Sequence, residues 1–281
     1  MYRIRVRVPA SMQTTVEEML LGIADATRVR IDRDEVEVFG YSYRRPDASK
    51  FAAALTGTGI HTAACQLETV PDDDWVSQGL ANLPCVRAGR FVLRGSHLPA
   101  PPTVRHDICI DAGPAFGTGH HPTTAMVIET LAGLALRRFR PHRALDVGTG
   151  AGVLAIVMAR LWRCPVLAVD HDPDAVAYAR ENVVRNRVTR WVDVIEADGC
   201  NATGDVFDVI AANLFAAPLR VMAPQLARSL STGGYAALSG LLVRQRLPVL
   251  HAYANQSLAV RRVVRRQDWL TLLLTRSRAR R

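Results

Sequence analysis

Leu145-Asp146-Val147-Gly148-Thr149-Gly150-Ala151-Gly152 ends one apolar run and leads into another, Val153 to Ala159, which Arg160 closes. The three alternate glycines let the chain turn tightly and let its backbone approach a ligand where a Cβ would clash. A helix expected over 152–161 then offers its N-terminal N–H groups to that ligand. A GxGxG turn fits a bare tight turn as well, so the next strand matters. It ends in Val169-Asp170-His171-Asp172, and Asp170 lies 22 residues beyond Gly148. That is where a carboxylate takes both ribose hydroxyls of an adenosine ligand. The turn lacks the GxGxxG spacing suited to a pyrophosphate, and Asp146 beside it would repel one. An adenosine ligand without phosphates, S-adenosylmethionine, fits better, because Asp146 can help hold its cationic methionine end. Asp172 precedes Pro173 and reads as the cap of the following helix.

Outward from this turn the chain alternates regularly. Strands are expected over 144–147, 166–170, 192–196, 207–211, 234–239, 259–265 and 269–275, with helices over 122–138, 152–161, 173–186, 218–230 and 241–255. Such alternation predicts an α/β domain over 106–281, its mostly parallel sheet covered on both faces. A Gln267-Asp268 turn joins the last two strands, so the sheet should end in an antiparallel hairpin. Residues 1–70 read differently: a strand over 2–8, a helix from Ser11 to Ala26, a hairpin turning at Asp32-Arg33-Asp34, a helix over 47–57 and a strand over 60–70. That order is ferredoxin-like. Residues 71–105 read as a connector punctuated by Pro71, Pro84, Pro99, Pro101 and Pro102, with one strand over 90–94.

Two further segments carry chemistry. Asn213, in Ala212-Asn213-Leu214-Phe215, stands at the expected end of a strand. A neutral amine must present its lone pair to a methyl donor, so its N–H groups are best held by carbonyl oxygens. An amide and a neighbouring backbone carbonyl provide acceptors without trapping the amine as a cation, as a carboxylate would. Asn213 also fits a plain turn residue after a strand. Upstream, Asp111-Ala112-Gly113-Pro114-Ala115-Phe116-Gly117-Thr118-Gly119-His120-His121-Pro122-Thr123-Thr124 is a glycine-rich loop feeding a helix. Its paired histidines have no nearby cysteine or carboxylate partners, so no metal is expected there.

Taken in order, AFGTGxHPTT, DVGxGxG, the acidic strand end, AANLxAxPL and LSGLL resemble the ribosomal protein L-eleven methyltransferase family (PrmA type) across the whole large domain. The resemblance implies a small ferredoxin-like substrate-recognition domain ahead of a class I, Rossmann-like methyltransferase domain. It implies S-adenosylmethionine as cofactor, and as substrate the lysine side chains and N-terminal amine of a large-subunit ribosomal protein. Its cofactor contacts fall on Thr124, Gly148, Asp170 and Asn213, with Phe116, Gly117 and Thr118 over the methionine end. Asp146 and Gly150 complete the expected donor site, and Asn213 is the expected catalytic residue. The alternatives are an N-methyltransferase of another protein or a small amine, or a non-catalytic adenosyl-binding module.

Composition bounds these readings. The chain has 281 residues, 49% of them hydrophobic and 22% charged, which excludes a disordered or fibrous protein. No apolar run reaches the length of a membrane span, and Met1 to Arg7 lacks the apolar core of a signal peptide. Five scattered cysteines without a CxxC pair fit reduced thiols in the cytoplasm. The net charge is +9, yet residues 1–105 carry 13 cations to 12 anions and residues 106–260 carry 14 to 13. Eight arginines against Asp268 in residues 261–281 make up the excess. They read first as a solvated tail and second as a contact with RNA or an acidic partner.

Overall fold

Alternation of arginine with Ile4, Val6 and Val8 makes Tyr2–Pro9 a strand (β1) with one buried face. The computed structural model describes residues 2–21, 24, 26–32, 35–42, 45–47, 51, 55, 65–69, 85–101, 106–111, 121–201 and 204–277. The chain divides into two units, Met1–Gln78 and Gly79–Arg281.

In the first unit β1 is flanked by β3 (Glu35–Ser42) and β4 (Cys65–Thr69), and β2 (Ala26–Asp32) lies outside β3. All three pairings are antiparallel. Helix α1 (Gln13–Leu21) sets Val16 and Leu20 on the apolar face of the sheet. Phe51 and Leu55, helical positions one turn apart, are buried in the same core. The order β2-β3-β1-β4 is the ferredoxin-like one. Ser11 lies inside a 3-10 turn (Ala10–Met12) rather than capping a helix, and Ala26, the expected end of that helix, begins β2.

In the second unit β5 (Val86–Ala88), β6 (Phe91–Arg94) and β7 (His106–Cys109) form a small sheet, antiparallel then parallel. Phe91, Leu93 and Ile108 are buried in the large core. Most of the segment read as a connector therefore belongs to this unit. Its described prolines, Pro99 and Pro101, follow β6 and interrupt no strand.

The main sheet has the order β10 (Val192–Glu196), β9 (Val166–Asp170), β8 (Ala144–Val147), β11 (Phe207–Asn213), β12 (Leu230–Leu242), β14 (Trp269–Arg276), β13 (Leu258–Arg266). The first five are parallel, and β14 runs antiparallel to both of its neighbours. Helices α2 (Pro122–Leu136), α3 (Val153–Trp162) and α4 (Pro173–Arg185) bury one face. Helices α5 (Ala216–Val221), α6 (Ala223–Ser229) and α7 (Arg246–Ala254) bury the other. The single helix expected over 218–230 is two, because Pro224 falls in the first turn of α6, where its missing N–H costs least. Likewise β12 runs to Leu242 and a 3-10 turn precedes α7, where a helix was expected from 241.

The arginine-rich end is not simply a tail. Arg261, Arg262, Arg265 and Arg266 are exposed on β13, the edge strand, where charge discourages further strand pairing. Arg266 pairs with Glu129 at 3.1 Å, and Arg276 donates to the carbonyls of Ala227 and Leu230. Arg278, Arg280 and Arg281 lie outside the described residues.

Candidate active site

The parallel strands bring the C-terminal ends of β8, β9, β11 and β12 to one edge of the sheet, and the strand order reverses between β8 and β11. Crevices of open α/β sheets form at such a switch point.

Gly148, Gly150 and Gly152 all have left-handed backbone, with φ of 65°, 54° and 81°. A Cβ on Gly148 would lie 2.4 Å from Leu214 Cδ2, and the φ of 65° strains any residue with a side chain there. Beneath the turn, Asp146 Oδ2 accepts from the Thr149 hydroxyl at 2.7 Å and from the Ala155 N–H at 3.0 Å. Ala155 is in the first turn of α3, so one carboxylate oxygen ties strand, turn and helix together. Asp146 Oδ1 is buried with no partner among the described residues. Burial pushes the Asp146 carboxyl up to about 7, against the pull of its two hydrogen bonds. Asn182, buried on α4, steadies the far side of the turn by donating to the Ala151 carbonyl at 3.0 Å.

Asp170 ends β9. Its Oδ2 accepts from Gly150 N–H at 2.9 Å and its Oδ1 from Asp172 N–H at 3.1 Å. The carboxylate thus orders the turn and the loop after β9, and a carboxylate has lone pairs for more than two donors. Asp172 caps α4 as expected, accepting from Asp174 N–H at 3.0 Å.

Across the switch point, Thr124 in the first turn of α2 and Asn213 at the end of β11 meet. Asn213 Nδ2 donates to Thr124 Oγ1 at 3.3 Å, although the residues are 89 apart in sequence. The amide is thereby oriented with Oδ1 left over, buried and without a partner among the described residues. His121 caps α2 through Nδ1, which accepts from Thr123 N–H at 3.3 Å. Its ring stands edge-on to Trp269, with centroids 4.6 Å apart, and burial lowers its pKa. Phe116, Gly117 and Thr118 lie outside the described residues.

Three participants escaped the sequence reading. Leu214 lies against Gly148 and donates its N–H to the Ser239 carbonyl at 3.1 Å. Gly240, with φ of 83°, packs against the Leu214 backbone. Asn182 had a legible signal: a polar residue at helical spacing from Ala175, Val176 and Ala179, all buried. Leu214 and Gly240 had none beyond the motifs that contain them.

A seven-stranded sheet closed by an antiparallel hairpin, with a glycine turn after its first strand and an acid after its second, defines a class I methyltransferase. The family model described as ribosomal protein L11 methyltransferase (PrmA) matches residues 8–277. Proteins named ribosomal protein L11 methyltransferase from Rhizobium meliloti and Mesorhizobium japonicum are similar. The first is 48% identical over 81% of this chain and 79% of its own, the second 39% over 95% and 94%. A crystal structure of ribosomal protein L11 methylase from Lactobacillus delbrueckii subsp. bulgaricus has a TM-score of 0.62 at 28% identity, covering 69% of this chain and 99% of that one. The chain belongs to the ribosomal protein L11 methyltransferase (PrmA) family.

Proposed function

We propose that this methyltransferase modifies lysine side chains and the N-terminal amine of ribosomal protein L11, the protein its relatives are named for, with S-adenosylmethionine as methyl donor. The features of the site fit such a donor. Gly148 leaves backbone bare where a Cβ would collide, Asp170 braces the turn through Gly150, and the Asp146 carboxyl lies beneath it. In this reading Asp170 holds the ribose, and Gly148 and Gly150 lie along the nucleoside. Asp146 supports the turn and supplies negative charge near the methionine end. Thr124 and Asn213 close the methyl-bearing end, and the family resemblance adds Phe116, Gly117 and Thr118, which lie outside the described residues. When bound, S-adenosylmethionine supplies an electrophilic methyl group on a sulfonium.

The observation that carries the acceptor assignment is the Asn213 amide. Thr124 takes one of its N–H bonds, and Oδ1 has no partner among the described residues. A lone amide oxygen at the switch point is an acceptor waiting for a donor, and a neutral amine brings N–H groups to it. Because an amide carries no charge, it orients the amine without stabilising the ammonium form. The exposed Phe215 flanks this acceptor end.

Residues 1–78, which contribute none of the named site residues, are the docking unit for the protein substrate in this reading. A ribosomal substrate and unpaired thiols suit a cytoplasmic enzyme, and no helix among the described residues is long and apolar enough to cross a membrane. The test is direct: incubate the enzyme with radiolabelled donor and a cytoplasmic extract, then locate the label by mass spectrometry. Label on lysines and the N-terminus of L11 is expected; label on another protein, or on other L11 side chains, overturns the reading.

A further inference from the structure

Leu214 sits between two left-handed glycines that touch it differently. At Gly148 an added Cβ would meet Leu214 Cδ2 at 2.4 Å and Cγ at 3.1 Å, the movable end of a side chain. At Gly240 it would meet the Leu214 carbonyl oxygen at 2.4 Å, the carbonyl carbon at 2.7 Å and the nitrogen at 3.1 Å. Rotamer changes relieve the first clash. The second can be relieved only by moving the Leu214 peptide. The preceding peptide is held as well, since Leu214 N–H donates to the Ser239 carbonyl at 3.1 Å. The Ser239 hydroxyl is in turn tied to Thr271 Oγ1 at 2.7 Å and to the Leu270 carbonyl at 3.2 Å. Gly240 itself falls in the register shift of β12 against β14 between Leu238 and Leu241, a bulge of the kind that re-aims a strand near functional sites.

We propose that Gly240 is a positioning residue of the acceptor side, its missing side chain fixing the Leu214 carbonyl as the second acceptor for the incoming amine beside the Asn213 amide. The inference rests on the amine-methylating reading above. An amine that keeps its lone pair for the methyl group is oriented best when two N–H bonds are held, and Asn213 Oδ1 supplies one acceptor. The carbonyl of the next residue is the adjacent candidate, and a glycine with bulge geometry lies directly against it. A Cβ at 2.4 Å is about 0.9 Å inside an ordinary C···O contact. Displacing an orienting group by about 1 Å is enough for roughly hundredfold loss of rate.

Gly240→Ala and Gly204→Ala, made in the full-length enzyme, separate this role from backbone strain. Gly204 has φ of 68° and nothing within 4 Å of an added Cβ, so its variant carries the left-handed penalty alone. With purified L11 as substrate, Gly240→Ala should lose about 30- to 100-fold in kcat, with donor Kd by calorimetry within twofold of the unaltered enzyme. Gly204→Ala should match the unaltered enzyme in both. Adding Leu214→Ala should not restore Gly240→Ala, because the clash is with backbone. Less than threefold loss of kcat relative to Gly204→Ala overturns the proposal, and so does an equal loss in donor affinity.

Should Gly240→Ala fail to fold, the unaltered enzyme gives the answer. Leu214-Phe215 is the one Leu-Phe pair in the chain. Carbonyl-labelled leucine with nitrogen-labelled phenylalanine therefore yields a single correlation from the Leu214 carbonyl. Adding L11 in the presence of S-adenosylhomocysteine should shift it, and an unmoved signal at saturation overturns the proposal. If the unaltered enzyme itself transfers no methyl group to L11, the functional reading fails, which is a different result from either of these.

Discussion

In the proposed function, the donor side and the acceptor side of the site are built in opposite ways. Donor-side residues from Asp146 to Asp172 lie in one strand-helix-strand stretch and brace one another: Asp146 to Thr149 and Ala155, Asp170 to Gly150. The acceptor side gathers Thr124, Asn213, Leu214 and Gly240 from three distant segments, joined by a 3.3 Å hydrogen bond and one tight backbone contact. Local bracing lets the donor side form wherever its strands pair correctly. The acceptor side exists only when α2, β11 and β12 are all docked. Damage to the two sides should therefore read out differently, in donor affinity on one and in turnover on the other.

The largest effect tests the donor side. Two charge-assisted hydrogen bonds to ribose are together worth roughly 2–4 kcal/mol. Asp170→Ala should accordingly weaken donor binding by about thirty- to a thousandfold in calorimetry, with the protein still folded. Unchanged affinity would refute the ribose role. On the acceptor side, Asn213→Ala should lower kcat on the order of a hundredfold and leave donor affinity much less affected. Equal losses in both parameters would break the contrast. For the unaltered enzyme the rate should climb with pH, since a lysine of ordinary pKa near ~10.4 is more often neutral at higher pH.

A truncated protein beginning at Gly79 asks whether the site needs the first unit at all. It should bind S-adenosylmethionine within a fewfold of full length and lose roughly tenfold or more in kcat/KM on L11, because docking energy is gone. Truncation near Thr103 would remove the buried Phe91 and Leu93 and should destabilise the core instead. If the Gly79 protein modifies L11 as efficiently as the whole enzyme, the first unit is not a docking module.

The smallest expected effect concerns Asp146. Its carboxyl is raised from 3.8 to about 7 in the folded protein. Between about pH 4 and pH 7 the folded state therefore binds the extra proton, and this group's contribution to stability falls as pH rises through that window. Asp146→Asn removes the charge and keeps an acceptor for Thr149 and Ala155. Its melting temperature relative to the unaltered protein should rise by about 5 °C between pH 5 and pH 8. A difference that does not change with pH would mean that Asp146 ionises as an ordinary carboxyl.

Sequence alone determined what short-range pattern encodes. Strands β8, β9 and β10 carry continuous or alternating apolar runs, and their expected ends agree with those observed. Asp172 before Pro173 was legible as a cap because capping is decided within three residues. The terminal hairpin followed from a two-residue turn between apolar runs. The glycine turn and Asp170 could be found because one strand-helix-strand unit fixes their separation. Tertiary structure decided the rest. Nothing in the prolines of 84–102 tells a linker from short strands, because Phe91 and Leu93 are core only once the small sheet packs into the large unit. Pairing of Thr124 with Asn213 depends on where α2 docks, not on any local signal. The obligation on Gly240 arises from a bulge and from the Leu214 peptide, brought together by the pairing of β11 with β12. Periodicity and capping are written in a few consecutive residues, whereas which distant backbones must nearly touch is set by packing across the sheet.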